Sequence, residues 1–211
     1  MAQTMIRETV VYTIDELKEH DSRAYQKAIE KLSEMEGADF EYHSEYVIED
    51  AKAIGALFGI DIRNVYYSGF WSQGDGAQFV GTYSYEKGGV KAVTKYVGGT
   101  DAEVIRIARE LQGIQKEHFY QLRADVTSSG RYSHEYATDI EVTDDRDTWE
   151  TTYTVSRDTE DTVKDLLRDF MRWIYRRLEA EYDYRTSEEY VVEDARETEM
   201  VFDGEGRIYY P

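Results

Sequence analysis

The chain contains no cysteine. That excludes a disulfide framework, a thiolate metal site and a cysteine nucleophile, and it fits a reducing compartment. Its single proline stands at the last position, so no Pro-marked linker divides the chain. No apolar run reaches the ~20 residues that a membrane span needs. Met1 to Arg7 shows no basic region followed by an apolar one, so no leader is expected. These absences give the expectation of a soluble, cytoplasmic protein without a membrane partner. Basic charge is scarce as well: 25 Lys and Arg stand against 44 Asp and Glu, a formal net charge of −19. Such a field repels a phosphate backbone, so direct nucleic-acid binding is not expected. The acidity has two readings, a solubilising surface or a face that occupies a basic partner. His20, His43, His118 and His134 are scattered without metal-ligand spacing, so neither metal nor cofactor is expected.

Aromatic residues are plentiful instead. They make up 14% of the chain, 19 of them tyrosine, which is ample core material and argues against disorder. Arg7 to Thr13 reads as a short strand, and Thr13 with Glu16 forms a capping box at the start of a helix. Leu17, Ala24, Ala28, Ile29 and Leu32 supply the buried stripe of that helix, with Gly37 as its stop. A second helix is expected from about Glu41 to Phe58, with Gly59 just past its end. Ile60 to Phe70 and Ala77 to Tyr85 read as a hairpin. A short helix from Val90 to Val97 follows, then one opened by a capping box at Thr100-Asp101-Ala102-Glu103. Phe119 to Thr127 and Tyr132 to Val142 read as a second hairpin. Asp144 to Asp158 reads as an acidic loop in which Tyr153 to Val155 could be a strand.

The longest helix is expected from Glu160 to Tyr182, with a broad apolar face from Val163 to Leu178. A further helix from Ser187 to Glu197 and an ending hairpin complete the pattern. Strands joined mainly by hairpins predict an α+β fold: an antiparallel sheet packed against several helices in a single domain, 1–211. Two similar helix-helix-hairpin halves, about 13–86 and 90–143, are compatible with the order, followed by the helix at 160–182.

The turn joining the first hairpin carries more chemistry than a turn requires. Gly74-Asp75-Gly76 would suffice; Phe70, Trp71, Ser72 and Gln73 add aromatic and polar groups. With Arg131, Ser133, His134 and Tyr136 of the second hairpin, and Arg168 and Arg172 of the long helix, they make the candidate ligand-binding set. Trp71 and Tyr136 could stack a flat group, Ser72, Gln73 and the amides near Gly74 could hydrogen-bond it, and an arginine could meet an anionic part. The competing reading makes Trp71 a core residue and both clusters hairpin supports. Lys164, Arg168, Arg172 and Arg176 form a basic stripe that reads either as ion pairing or as an anion site. On a strand His134 and Glu135 would point to opposite faces, which leaves His134 as a structural residue or a lone general base. No phosphate loop, metalloprotease helix or nucleophile elbow is present, so no catalytic residue is assigned and the balance lies against an enzyme.

Several segments resemble a family of small phage- and prophage-encoded proteins. They are Glu49-Asp50-Ala51-Lys52, Tyr67-Ser68-Gly69-Phe70 with Ser72-Gln73-Gly74-Asp75-Gly76-Ala77, Tyr132-Ser133-His134-Glu135-Tyr136 with Thr138-Asp139-Ile140-Glu141-Val142, and Arg168 to Tyr175 with Leu178-Glu179. Members of that family are often labelled antitoxins of a toxin–antitoxin stability system. The chain departs from the pattern at Trp71, where a smaller polar residue is expected, and at Ala137, where cysteine is expected. The resemblance implies a phage accessory protein working in the host cytoplasm by binding. The leading expectation is an anti-defence protein sequestering a small polar or nucleotide-like ligand between the two hairpins. The alternatives are an acidic inhibitor of a basic, nucleic-acid-binding host defence protein, an antitoxin, or a hydrolase using Asp75 and His134. A homodimer is compatible with the aromatic content.

Overall fold

The computed structural model describes residues 9–128, 130, 132–146 and 154–210. In chain order the elements are β1 (Tyr12–Thr13), α1 (Ile14–His20), α2 (Ser22–Ala38), α3 (Phe40–Leu57), β2 (Ile60–Tyr67), β3 (Ala77–Ser84), α4 (Gly89–Tyr96), α5 (Ala102–Glu117), β4 (Leu122–Ser128), β5 (Thr138–Asp144), α6 (Arg157–Arg185), α7 (Glu188–Glu197) and β6 (Val201–Phe202). The fold is α+β with antiparallel sheets, as the hairpin pattern predicts. The chain forms two compact units, Met1–Ser44 with Ala180–Pro211 and Glu45–Glu179. The physical reason is that two separate apolar clusters form.

In the unit made from both chain ends, Ile14, Leu17, Ala28, Leu32, Val191, Ala195 and Phe202 are buried together. β1 pairs with β6, Tyr12 opposite Phe202. Thr13 caps α1 in the capping box read from the sequence, its side chain bound to the Glu16 N–H and its own N–H to the Glu16 carboxylate. The expected single helix is two. Asp21 ends α1, and its carboxylate then accepts the N–H groups of Arg23 and Ala24 to start α2. Gly37 stops nothing; α2 runs to Ala38.

In the other unit β2, β3, β4 and β5 form a four-stranded antiparallel meander in that order. One face alternates inward: Ile60, Ile62, Phe79, Ala124, Val126 and Ile140 meet Ile54 of α3, Ile107 and Leu111 of α5, and Leu167, Phe170 and Ile174 of α6. Phe170 lies edge-on to Phe58 and Phe79 and stacks on Trp173. The opposite face keeps Asp61, Thr82, Asp125, Asp139 and Glu141 exposed.

Gly59 joins α3 to β2 at φ +94°, and a Cβ there would lie 1.8 Å from the Ser84 carbonyl oxygen, so only glycine fits. The cap of α5 is Asp101, which accepts the Val104 N–H; the capping box expected from Thr100 does not form.

Several strand boundaries differ from expectation. β2 ends at Tyr67, not Phe70, because Ser68 and Gly76 close the ladder with an N–H to carbonyl bond of 3.0 Å. The second hairpin's return strand starts at Thr138, since Glu135–Ala137 forms a 3-10 turn capped by His134. Thr154 and Val155 are not strand; Tyr153, like Arg7 and Glu8 of the first expected strand, lies outside the described residues.

Candidate functional site

Two loops meet at the end of the meander where β2 and β4 finish. In the first, 68–76, local hydrogen bonds set the path. The Ser68 hydroxyl accepts the Gly76 N–H at 3.0 Å, and the Asp75 carboxylate accepts the Ser72 N–H at 2.7 Å. Phe70 packs between Tyr67 and Tyr175, with ring centres 6.1 and 5.6 Å away. The Tyr175 hydroxyl donates to the Gly69 carbonyl at 3.2 Å. Burial, with Glu179 and Asp75 nearby, pushes that phenol up to about 12, so it remains a donor at neutral pH. Phe70 and Asp75 are therefore built into the loop.

Trp71 is placed differently. It is 69% exposed, which removes the core reading, and its backbone sits at φ +76°. A non-glycine residue in the left-handed region costs on the order of 1 kcal/mol. No ring or cation contact holds the indole among the described residues; the left-handed backbone is held by the loop's own hydrogen bonds, such as that from the Ser72 N–H to Asp75. Ser72, Gln73 and Gly74 are exposed beside it.

The second loop locks onto the first through Gly76 and Ser68. A Cβ on Gly76 would come within 2.9 Å of the His134 ring, and the Ser68 hydroxyl reaches the Ser133 carbonyl at 3.5 Å. Because residues 132–137 turn instead of extending, His134 and Glu135 are neighbours in space: His134 Nδ1 lies 3.1 Å from the Glu135 carboxylate and 3.2 Å from the Tyr136 N–H that it accepts. The opposite-faces expectation is thereby corrected. His134 stacks on Tyr136 at 5.6 Å, while Tyr136 itself is 67% exposed. Arg131 lies outside the described residues.

Beneath the loops runs a chain of charges that the sequence did not disclose. Glu135, itself buried, accepts from Arg172 at 3.3 Å; Arg172 also holds Asp169; Asp169 accepts from Arg106 at 2.6 Å; and Arg106 reaches Glu110 at 3.0 Å. Burial raises the Asp169 carboxyl, but the hydrogen bonds from Arg106 and Arg172 outweigh it and hold the group below the usual carboxylate value. Charges at positions 106, 135 and 169 carry no local signal of meeting, because three separate elements supply them.

The basic stripe resolves into pairs. Lys164 meets Glu160, Arg172 meets Asp169 and Glu135, and Arg176 meets Glu103 at 2.5 Å. Arg168 is the most loosely held. Its guanidinium lies 5.2 Å above the Tyr136 ring, and among the described residues its only ion pair is 3.5 Å to Asp165 and its buried Nε has no hydrogen-bond partner.

Asp75 and His134 share no hydrogen bond among the described residues, each being engaged locally. Elsewhere in this unit a cleft of about 580 Å³ opens between Asp50, Tyr96, Asp101, Glu103 and Arg177. Its walls are largely paired: Tyr96 and Arg177 both donate to Asp50, and Trp173 donates to Asp101, while the buried Arg177 Nε finds no partner among the described residues. No group of ligating side chains large enough to hold a metal ion occurs among the described residues, and none of their helices is long and apolar enough to cross a membrane.

The fold and this site define an α+β protein whose antiparallel meander presents aromatic rings on two interlocked loops at one end. The chain belongs to the family described as Domain of unknown function (DUF8835), whose model matches residues 43–188 and so takes in the whole of the unit that carries these loops. No curated protein and no solved structure matches the chain.

Proposed function

We propose that the protein acts by binding, taking a flat, polar, nucleotide-like ligand against Trp71 and Tyr136. One observation carries this reading: Trp71 holds its indole in water from a left-handed backbone, with no ring or cation partner among the described residues. Tyr136, exposed on the adjoining loop with Arg168 beside its ring, offers a second stacking surface and a cation for an anionic group. The exposed Ser72 and Gln73 lie next along the chain from Trp71 and supply hydrogen bonds. Phe70, Asp75, Gly76, His134, Glu135 and Arg172 hold the loops in place and act on the ligand only through that support. Together with the resemblance to phage accessory proteins, this suggests sequestration of a host signal as the biological role.

The test is thermal stability of the purified protein against common nucleotides, cyclic dinucleotides and trinucleotides, and NAD-derived compounds. A ligand at 100 times its Kd should add about 2.7 kcal/mol. Stabilisation that Trp71→Ala abolishes, with the compound recovered unchanged, supports sequestration. A converted compound would make the protein an enzyme. Stabilisation that survives both Trp71→Ala and Tyr136→Ala would place the site elsewhere.

A further inference from the structure

The outer side of β5 is the second surface that invites a partner. β5 ends the sheet order, so along one side its backbone N–H and C=O groups meet no strand among the described residues. An open edge of this kind is a template for one more strand. A groove of about 250 Å³ follows it, lined by Thr138, Asp139, Ile140 and Glu141 of β5, with Asp125 of β4 and Lys164 and Arg168 of α6 on its flanks.

The charges on the exposed sheet face say what such a strand would bring. Asp125 stands directly opposite Glu141 in the β4–β5 register, and Asp139 lies one alternate position along. Like charges placed opposite each other on neighbouring strands repel. No ion pair reaches Asp125, Asp139 or Glu141 among the described residues, whereas the basic residues of α6 nearby are paired. A second copy of the chain does not fit: antiparallel pairing of β5 with itself would set Asp139 and Glu141 of each copy against the other's acidic row. A strand with Lys or Arg at every second position does fit, since its backbone would complete the ladder while its cations lie over Asp139 and Glu141.

We propose that β5 is a docking edge for an extended, basic segment of a partner protein, with Lys or Arg alternating with uncharged residues. This surface borders the proposed ligand site at Arg168, which flanks the groove and lies over the Tyr136 ring, but the strand pairing does not depend on the ligand assigned there.

The probe is a fluorescent octapeptide of alternating lysine and threonine, compared by anisotropy with a peptide of the same composition in two blocks. Pairing in register predicts that the alternating peptide binds about tenfold tighter than the block peptide. It should also slow amide hydrogen exchange in 138–144 and leave 60–67 unchanged. The double substitution Asp139→Lys with Glu141→Lys should weaken binding by about tenfold or more, while Trp71→Ala leaves it intact. Equal binding of the two peptides would overturn the proposal, because it would mean only diffuse attraction to a chain of net charge −19. Absence of binding, or protection confined to another segment, would overturn it too. The peptide comparison uses the unmodified protein and decides the matter even if the double variant folds poorly.

Discussion

Both ends of the four-stranded meander force aromatic residues into left-handed backbone, yet they use it differently. At the end where β4 begins, Phe119 and Tyr120 sit at φ +55° and +64°. Each has a partner: Tyr120 lies 4.3 Å from the Tyr85 ring, and the Arg146 guanidinium lies 5.2 Å over Phe119. Arg146 is itself anchored on buried Asp144. Phe119 is nonetheless 70% exposed and Tyr120 42%, so these neighbours close the turn from α5 into β4 without burying the rings. At the opposite end Trp71 carries comparable strain, and its ring faces water. The same backbone device serves closure in one place and presentation in the other. What separates the two is whether a neighbour meets the ring.

The largest effect expected from breaking this contrast is at the glycines beneath each end. Gly59→Ala would set a Cβ 1.8 Å from backbone at a positive φ, and should cost about 3 kcal/mol or more. Gly76→Ala meets the His134 ring at 2.9 Å and the His134 Cα at 3.3 Å, so the second loop must shift rather than clash with buried backbone. It should cost about 1–2 kcal/mol. Urea denaturation of both variants gives the ranking, and the reverse order would mean that the Trp71 end is the more rigidly built.

Next in size is the charge chain under the Trp71 end. Asp169→Asn should destabilise by about 2 kcal/mol at neutral pH, since it deprives Arg106 and Arg172 of their shared carboxylate. The folded value of that carboxyl lies below its ordinary one, so its stabilisation is complete above the ordinary value and is lost as pH falls through the folded value. Denaturation at neutral and strongly acid pH should therefore show the gap between Asp169→Asn and the parent closing in acid. A gap that stays constant would assign the loss to packing.

The smallest effect sharpens the contrast most directly. Trp71→Gly relieves the left-handed backbone and removes no ring or cation contact among the described residues, so stability should stay within about 0.5 kcal/mol of the parent. Tyr120→Gly relieves the same strain but loses the Tyr85 ring, and should cost about 1–2 kcal/mol. Equal losses at the two positions would show that Trp71 has a structural partner.

Much of this architecture is legible in the sequence because it is local. The capping box at Thr13, the helical period from Val163 to Leu178, and Gly59 after α3 each declare themselves within a few residues. Residues 132–137 misled for the same reason. Tyr132, His134 and Tyr136 alternate as a strand would, but the His134 ring accepts the Tyr136 N–H and the Thr138 hydroxyl donates to the Glu135 carbonyl, which bends the chain into a turn. The break at Asp21 had a sequence signal, an Asp placed before Ser-Arg-Ala, overridden by the apolar period running through it. Of the candidate site, the sequence located the 68–76 loop but read residues 132–137 of the second loop as strand. It could not separate Trp71, which is displayed, from Phe70, which is half-buried in the support, because adjacent aromatic residues differ only in what the fold brings to them. The chain from Glu110 to Glu135 depends on α5, α6 and a loop meeting, and no spacing along the sequence encodes that.

The path of the 68–76 loop rests on Ser68, Phe70, Asp75 and Gly76, and none of these supports comes from the indole of Trp71. Residue 71 is thus free to change while its frame stays fixed. Among relatives, this position should vary faster than its neighbours. Within a laboratory library it is the place where recognition can be retuned without first rescuing folding.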